Sequence, residues 1–314
     1  MIRLKDYSLI KINPDQRDQI ESLINLNNGS VFHEPILNEI ASKYHKTDFY
    51  YLVNDPDIIK IACPVHVTKY DFGRKLYQLK PPGDIPYAGF VGELTELDQY
   101  LKIGLNDALI YAGFPTQNLT ELSEEESGLT SMVDLSLSEN DIFMKVINAK
   151  RRNMIRKAVK SGIEVKAFLD KDGLEIFWPI LLSLHIKLGY QKLQKDYYES
   201  LFNQYSKKGK SVILIAYKGE KAVSGLLLLG NNNYMHYYKG ASVTGTLNEG
   251  QGELLQWEAI KWAKGKSKFY DLCNLNRESL PEIYRFKTGI SDQLFFYRKF
   301  KMKSLGFKIL NRLS

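Results

Sequence analysis

Three strand-like apolar runs joined by two tight polar turns constrain the fold of this chain more than any other feature. They occupy residues 211–242, SVILIAYKGEKAVSGLLLLGNNNYMHYYKGAS, in which Lys-Gly-Glu and Asn-Asn-Asn separate the runs. Turns this short connect antiparallel neighbours. Helical patterns precede and follow the stretch, in QKDYYESLFNQYSKKG and EGQGELLQWEAIKWAKGK. The sequence therefore predicts an antiparallel three-stranded meander between helices.

The elements around the meander predict a mixed α/β arrangement in both halves of the chain. The second half reads as helix, strand, two helices, the meander, helix, strand, helix and strand. The first half contains two β-like runs split by the turn signal DPD, and a helix is predicted over TELDQYLKIGLNDALIYAG, residues 95–113. The length of 314 residues favours two domains.

Composition excludes several classes of protein. With 44% hydrophobic and 25% charged residues, the chain is not of the disordered type. Cys63 and Cys273 have neither disulfide nor zinc spacing, which favours two buried thiols in a reducing compartment and no metal. MIRLKDYSLI lacks a signal-peptide core, and the longest apolar runs fall far short of the ~20 residues that span a bilayer. We expect a soluble cytoplasmic protein.

Charge is divided unevenly along the chain. Residues 1–142 contain 12 basic and 22 acidic residues, whereas residues 143–314 contain 31 basic and 14 acidic residues. The densest basic stretch is INAKRRNMIRKAVKSGIEVK, residues 147–166. The second half is therefore expected to attract a polyanion. No aromatic residues interleave with this run, so DNA is not an expected partner.

A glycine-rich turn lies between a strand-like run and an amphipathic helix. Gly250, Gln251 and Gly252 open that helix in LNEGQGELLQWEAIKWA. Glycines there allow close approach of backbone N–H groups, and a helix N-terminus favours an anion such as a pyrophosphate. The alternative is that the two glycines only make a turn.

Five stretches, spread over nearly the whole chain, resemble the Fem family of peptidyltransferases. They are GSVFHEPILNEIA, RRNMIRKAVKSGIEV, LLQWEAIKWA, FYDLCNL and YRFKTGI. Members of that family carry two domains of the GNAT acyltransferase type. The chain departs from its longer members by lacking a long charged helical hairpin. It departs from ordinary GNAT enzymes in having Leu247 where a Gln or Arg precedes the glycines.

The resemblance implies an α/β (α+β) fold of two GNAT-like domains, each a mixed, mostly antiparallel sheet flanked by helices. Residues 1–142 would form the acceptor side of a cleft between the domains, and residues 143–314 would bind the acyl donor and carry catalysis. The implied reaction is N-acyl transfer by direct attack of an amine, with a coenzyme A thioester as co-substrate and a nucleotide-linked amino-deoxysugar for surface polysaccharide as acceptor. One alternative is an aminoacyl-tRNA donor and a peptidoglycan precursor. Another is a non-catalytic ligand-binding module.

Four residues are candidates for catalysis. The resemblance implies that Lys287 matches a family lysine that binds phosphate or stabilises the oxyanion. It also implies that Tyr284 lies at the position where GNAT enzymes often have a tyrosine that protonates the leaving thiolate. Asp271 either orients the amine or caps the next turn. His236 has a pKa suited to a general base, although a single strand histidine is commonly structural. The alternative interpretation of Lys287 is an exposed helical lysine, and that of Tyr284 is a tyrosine that only packs.

Six residues are candidates for substrate binding, and they are Arg152, Arg156, Lys69, Arg74, Tyr87 and Tyr238. Guanidinium groups suit a diphosphate, although a solvated helix face is the common fate of such a basic run. Tyr87 is suited to stacking on a nucleotide base. Tyr238 belongs to the strand YMHYYKGAS, which is expected to line the cleft.

The C-terminal segment YRKFKMKSLGFKILNRLS alternates basic and apolar residues. One interpretation is a final strand and short helix with solvated charges. The other is a weak contact with an anionic membrane surface.

Overall fold

The computed structural model describes residues 7–92, 104–115, 127–189, 193–243 and 249–313. Its contacts divide the chain into two compact units, Met1–Gly128 with Phe296–Ser314, and Leu129–Phe295. The sequence analysis predicted one boundary at residue 142. Residues 129–142 were therefore expected in the first domain but lie in the second unit, and residues 296–314 were expected in the second domain but lie in the first unit. The two segments change sides because of strand pairings that no local pattern in the sequence reveals.

The bounds of the elements follow the chain. The helices are α1 (Pro14–Leu26), α2 (Pro35–His45), α3 (Glu139–Asp141), α4 (Ala149–Lys160), α5 (Lys171–Lys187), α6 (Lys195–Ser206), α7 (Gln251–Ala263), α8 (Pro281–Ile290) and α9 (Leu305–Leu310). Short 3₁₀ turns lie at Val31–His33 and Asp71–Gly73, and a π-helical turn lies at Ile142–Val146. The strands are β1 (Ser8–Ile10), β2 (Asp48–Val53), β3 (Ile61–Lys69), β4 (Lys75–Leu79), β5 (Val91–Gly92), β6 (Asp107–Ala112), β7 (Ser127–Asp134), β8 (Ile163–Phe168), β9 (Ser211–Lys218), β10 (Lys221–Gly230), β11 (Tyr234–Ser242), β12 (Phe269–Asp271) and β13 (Leu294–Lys303).

In the first unit the strands follow the order β1-β2-β3-β4-β6-β13, with β5 paired to β3. The pairs are antiparallel except for β4 and β6, which are parallel. β13 belongs here because Lys299–Lys303 pair with Ala108–Ala112 of β6. The prediction of a helix over residues 95–113 is wrong for residues 107–112, which form β6. Residues 104–106 and 113 are not helical either, and residues 95–103 of that prediction lie outside the described residues.

β6 illustrates why the sequence misled. DALIYA is a short apolar run, whose periodicity suits a buried helix segment as well as a strand. Leu109 is fully buried in the sheet core beside Cys63 and Tyr77. Ladder partners on both sides of β6, in β4 and β13, select the extended form.

In the second unit the strands follow the order β7-β12-β11-β10-β9-β8. The predicted meander of β9, β10 and β11 is confirmed, with antiparallel pairing throughout. β12 adds to it in parallel with β11, and β7 pairs antiparallel with β12. The sheet is thus mixed and mostly antiparallel.

Helices cover both faces of this second sheet. Leu214 and Leu228 point to one face and join a buried cluster with Ile155 of α4 and Leu255 of α7. On the other face Gly225 lies directly under the ring of Phe177 in α5. Alternation along the strands divides the side chains between the two helical layers.

None of the described helices combines the length and the apolar character that a bilayer span requires.

Candidate active site

The strand β12 ends at Asp271, and its register fixes what that carboxyl group meets. Parallel pairing places His236 of β11 directly opposite Asp271. His236 Nδ1 consequently lies 2.7 Å from Asp271 Oδ2, and both side chains are fully buried. The two predicted catalytic residues are therefore brought together, although they are 35 positions apart in the sequence.

Asp271 is the acceptor for several donors. The Thr130 hydroxyl donates to Oδ1 at 2.6 Å, and the Cys273 backbone N–H donates to the same oxygen at 2.9 Å. Burial raises the pKa of the Asp271 carboxyl from 3.8 to about 7, and the Cys273 hydrogen bonds oppose that rise. The Asp271 carboxyl group thus fixes the backbone of the residues that follow β12.

Two residues with left-handed backbone follow β12. Cys273 has a φ of 53° and Asn274 a φ of 35°, values that non-glycine residues rarely adopt. This conformation directs both carbonyl groups to Lys287 of α8, whose Nζ donates to Cys273 O at 2.5 Å and to Asn274 O at 3.2 Å. Residual strain at such positions commonly marks functional sites.

Lys287 is almost fully buried, so it is not the exposed helical lysine of the alternative interpretation. Burial lowers the pKa of its amine, while Cys273 and Asp271 oppose that effect. Its Nζ lies 5.4 Å from the ring centre of Tyr237. An ammonium has three N–H donors, of which two are taken by the carbonyl groups. Within the described residues the third N–H has no hydrogen-bond acceptor, so it can be donated to a ligand.

A pocket of about 890 Å³ opens beside Lys287. Its walls come from α4, the meander strands β10 and β11, the start of α7, and α8. The residues that line it include Lys150, Arg151, Lys157, Tyr237, Gly252 and Lys287. This volume lies within the ~300–1,000 Å³ usual for ligand sites.

The basic stretch that opens the second unit supplies three cations to this pocket. Lys150, Arg151 and Lys157 line it. Arg151 is held by an ion pair of 2.6 Å to Glu253, and its guanidinium lies 5.1 Å from the ring centre of Phe286. The stretch is therefore not wholly solvated, because one face of α4 forms a pocket wall.

The arginines predicted to bind a diphosphate do not line this pocket. Arg152 donates to the carbonyl groups of Met144 and Ile147 at 3.0 and 2.5 Å, which caps the π-helical turn. Arg156 lies over the ring of Phe143 at 5.2 Å. The helical rotation of 100° per residue directs them away from the face that carries Lys150 and Lys157.

The two glycines at the start of α7 have different structural roles. Gly250 has a φ of 86°, and a Cβ there would overlap the carbonyl oxygen of Met154. Gly252 is open, with its nearest neighbour, Phe286, at 3.7 Å. Gln251 is buried in the pocket wall. Gly250 thus packs α7 against α4, Gly252 leaves room for a ligand, and Leu247 lies outside the described residues.

The strand β11 supplies a pocket residue that the sequence analysis did not select. Tyr237 lines the pocket, and burial raises the pKa of its hydroxyl to about 12, so it is a proton donor at neutral pH. Tyr284 is half-buried outside the pocket lining, and Tyr238 packs near the Tyr198 ring at 6.0 Å. The alternation of YMHYYKGAS was the available signal, since it grouped Tyr237 with Met235 and Lys239.

The pairing of β11 with β10 contains an irregularity beside Tyr237. Leu227 pairs with Lys239, but Leu228 pairs with Tyr237, so Tyr238 is the additional residue of a β-bulge. A bulge interrupts strict alternation and re-aims the side chains around it. His236 remains behind the pocket wall, bonded to Asp271, rather than on the surface that a substrate would touch.

The candidates in the first unit are engaged within that unit. Lys69 forms a 2.7 Å ion pair with Asp48 on the surface. Arg74 is buried, with its guanidinium 6.0 Å from the Phe307 ring centre. Tyr87 is fully buried in an aromatic cluster that includes Phe32, Phe114 and Tyr297. Neither face of that ring is exposed for a nucleotide base.

Three possible metal ligands meet behind the pocket, a cluster that sequence spacing did not predict. One ligand atom from each of His236, Asp271 and Cys273 lies within 4.8 Å of the others. However, the carboxylate already accepts hydrogen bonds, and the Lys287 ammonium nearby would repel a cation.

Comparison with known proteins supports a Fem-type, GNAT-like transferase. The sequence profile of the FemAB family matches residues 108–219, about a third of the chain. No curated protein sequence gives a significant match. The family match supports an acyltransferase-type enzyme.

Solved structures of similar fold cover nearly the whole chain. FemX is 12% identical and superposes with a TM-score of 0.68 over 98% of this chain and 99% of its own. A tandem GNAT protein from the clavulanic acid biosynthesis pathway is 10% identical, with a TM-score of 0.52 over 97% and 99%. L-PGS from Bacillus licheniformis is 12% identical, with a TM-score of 0.51 over 96% of each chain. The predicted class, a mixed α/β fold of the tandem GNAT type, is confirmed.

Proposed function

We propose that the chain is an N-acyltransferase that moves an acyl group from a coenzyme A thioester to the amino group of a nucleotide-linked amino sugar for surface polysaccharide. The observation that carries this proposal is the pocket in the second unit, where the start of α7 and the cations of α4 meet the buried amine of Lys287. A Fem- or GNAT-type transferase activity is supported by the family match and by the fold.

The donor would enter between α4 and α7. Backbone N–H groups at Gln251 and Gly252 belong to the first turn of α7, where a helix favours an anion. Lys150 and Lys157 add positive charge for the diphosphate of coenzyme A. Glu253 lies in the same turn, but its ion pair with Arg151 offsets its charge. These groups fit the co-substrate.

The chemistry would be a direct transfer. The neutral amine attacks the thioester carbonyl carbon, the new N–C bond forms, and the C–S bond breaks. The remaining N–H of Lys287 stabilises the oxyanion. The Tyr237 hydroxyl gives its proton to the leaving sulfur and recovers one from the amine, which balances the protons. Asp271 acts as a positioning residue, because it holds the turn whose carbonyl groups hold Lys287.

The first experiment is a calorimetric titration of the protein with coenzyme A. Micromolar binding that is weakened in Gly252→Ala supports the donor site at the start of α7. Release of free thiol from a panel of acyl-CoA donors, only when an amino-sugar nucleotide is present, would then identify both substrates.

Other outcomes assign the pocket differently. No binding of coenzyme A, with or without a sugar nucleotide, would overturn the proposal in favour of an aminoacyl-tRNA donor. The excess of basic residues in the second half suits that larger polyanion. Binding without thiol release for any donor and acceptor pair would instead indicate a non-catalytic module.

A further inference from the structure

Large apolar side chains are exposed on three segments of the first unit. They are Phe72 at 78% exposure, Leu105 at 77%, Leu305 at 71% and Ile309 at 51%. Leu305 and Ile309 are four residues apart on α9, so they share one helical face, while Phe307 is buried on the other. A single exposed apolar residue needs no explanation, but a group of them does.

Two of the three segments are joined by contacts of Arg74. The Arg74 guanidinium lies 5.9 Å from the Tyr70 ring centre and 6.0 Å from that of Phe307. Its Nη1 lies 3.5 Å from Asn311 Oδ1. These contacts join the 70–74 turn to α9, and we call the surface formed by residues 70–74, 105 and 305–313 the hairpin–tail surface.

Leu105 is part of the same surface. The hydroxyl of Ser304, which caps α9, donates to the Leu105 carbonyl, and the Ser304 backbone N–H donates to Asp107 O at 3.1 Å. A Cβ on Gly306 would lie 2.5 Å from the Leu105 carbonyl oxygen. Backbone contacts thus hold Leu105 beside the start of α9.

Phe72 is held in an unfavourable conformation at the tip of the β3–β4 hairpin. Tyr70 N–H donates to Arg74 O at 2.9 Å, which closes the turn. Phe72 has a φ of 61°, a value at which a bulky side chain is an outlier. An aromatic residue that is both strained and exposed gains nothing from the fold of this unit. Strain of this kind points to a function outside the fold.

The charge around the exposed apolar residues is mostly positive, and Asp71, beside Phe72, is the acidic residue of the surface. From residue 293 to the C-terminus the chain has no acidic residue, and its basic residues are Arg298, Lys299, Lys301, Lys303, Lys308 and Arg312. Residues 1–142 of the same sequence are net acidic. Basic side chains beside exposed Leu, Ile and Phe complement an apolar layer covered by anionic groups, which is the composition of an anionic membrane surface.

We propose that the hairpin–tail surface docks the protein reversibly onto an anionic lipid bilayer. Phe72, Leu305 and Ile309 enter the headgroup boundary, and Lys308 and Arg312 contact lipid phosphates. The apolar side chains come from a hairpin tip and a six-residue helix rather than from a groove, which suits shallow insertion. This inference does not depend on the identity of the acyl donor or acceptor.

The test is co-sedimentation of the full chain with two kinds of vesicle. We expect binding to phosphatidylcholine mixed with phosphatidylglycerol, little binding to phosphatidylcholine alone, and weaker binding at high salt. Phe72→Ser with Leu305→Ser should weaken binding about tenfold or more. Lys308→Glu with Arg312→Glu should also weaken it about tenfold.

Ile58→Ser is the matched control. Ile58 is 63% exposed in the turn between β2 and β3, at the other end of β3 from Phe72. It should bind vesicles like the wild type, and circular dichroism should show that every variant is folded. Absence of binding to anionic vesicles, or equal losses in the Ile58 and Phe72 variants, would overturn the proposal. Self-association that the Phe72 and Leu305 variants abolish, without vesicle binding, would overturn it too.

Vesicle binding is measured without substrates, so its failure leaves the transferase proposal untouched. Conversely, a failed titration with coenzyme A would leave the vesicle result standing.

Discussion

The amine of Lys287 is positioned by two backbone carbonyl groups. No carboxylate among the described residues forms an ion pair with it. Cys273 and Asn274 adopt left-handed conformations to provide those groups, at a cost of about 1–3 kcal/mol each. The compensating contacts are the hydrogen bonds that Asp271 accepts from Thr130 and Cys273. A buried amine with one remaining donor is the result.

Lys287→Met should therefore remove activity while keeping the fold. Loss of one oxyanion donor costs about 10²–10³ in kcat, and the isosteric apolar side chain fills the same space. Thiol release and thermal unfolding measure the two effects. Lys261→Met is the control, because Lys261 pairs with Glu258 outside the pocket and should retain full activity. Unchanged kcat/KM in Lys287→Met would remove Lys287 from the site.

The raised pKa of Asp271 should make its contribution to the stability of the protein decrease as pH rises towards 7. Burial raises its pKa from 3.8 to about 7, so the folded state binds the proton more tightly than the unfolded state. Folding then takes up a proton between these values, and this group's contribution to stability falls as pH rises from about 4 to 7. The charged or titratable neighbours are His236, Cys273 and Lys287.

Urea unfolding of the wild type and of Asp271→Asn at several pH values would measure this contribution. The stability of the wild type relative to the variant should decrease as pH rises across that window. Parallel curves for the two proteins would contradict the raised pKa.

At the scale of elements, the start of α7 combines a packing glycine with a ligand-facing one. Gly250→Ala should destabilise the protein by about 1–3 kcal/mol, because the φ of 86° and the Met154 carbonyl oxygen both exclude a Cβ. Gly252→Ala should leave stability nearly unchanged and weaken coenzyme A binding. Unfolding curves and calorimetry separate the two, and an equal effect of both substitutions on stability would contradict this division.

The contact between α4 and α8 depends on another glycine. A Cβ on Gly289 would lie 2.8 Å from Arg151 Nε and 3.0 Å from Asn148 Nδ2. Gly289→Ala should therefore displace Arg151 from Glu253 and destabilise the protein by about 1–3 kcal/mol. In the Arg151→Met background the same substitution should cost less, because the Nε atom and its ion pair are gone. Additive effects in this double-mutant cycle would show that the two residues are independent.

At the scale of the whole molecule, acid should act oppositely on the two units. His33 and His66 are buried in the first unit, where burial lowers their pKa values to about 4 and about 3. Because the unfolded state binds protons more tightly, stability is lost as pH falls from about 6.5 towards 4. Asp271 in the second unit has the opposite sign.

Hydrogen exchange at pH 5 and pH 7 tests this contrast. Amides of β2 and β3 should lose protection at pH 5 relative to those of β9 and β10. His33→Gln should reduce the loss, which for one histidine is about 2 kcal/mol between pH 7 and pH 5. Equal changes in both units would contradict the assignment.

The sequence by itself determined the local elements. The meander, α4 with its basic faces, the glycine start of α7 and the closing strand and helix all follow from short-range periodicity, turns and caps. It also directed attention to Lys287, Asp271 and His236. The elements depend on residues a few positions apart, which is the range that propensity and amphipathic spacing describe, whereas the resemblance to the Fem family singled out Lys287.

Only the tertiary structure decided how those pieces form a site. Parallel pairing of β11 and β12 joins His236 to Asp271 across 35 residues, and helix packing joins Arg151 to Glu253 across 102. It selected Lys150 and Lys157 over Arg152 and Arg156 for the pocket, and Tyr237 over Tyr284. It also placed the C-terminal strand in the first unit. The physical reason is that strand register and helix rotation are fixed by burial against distant partners, which local sequence patterns do not specify.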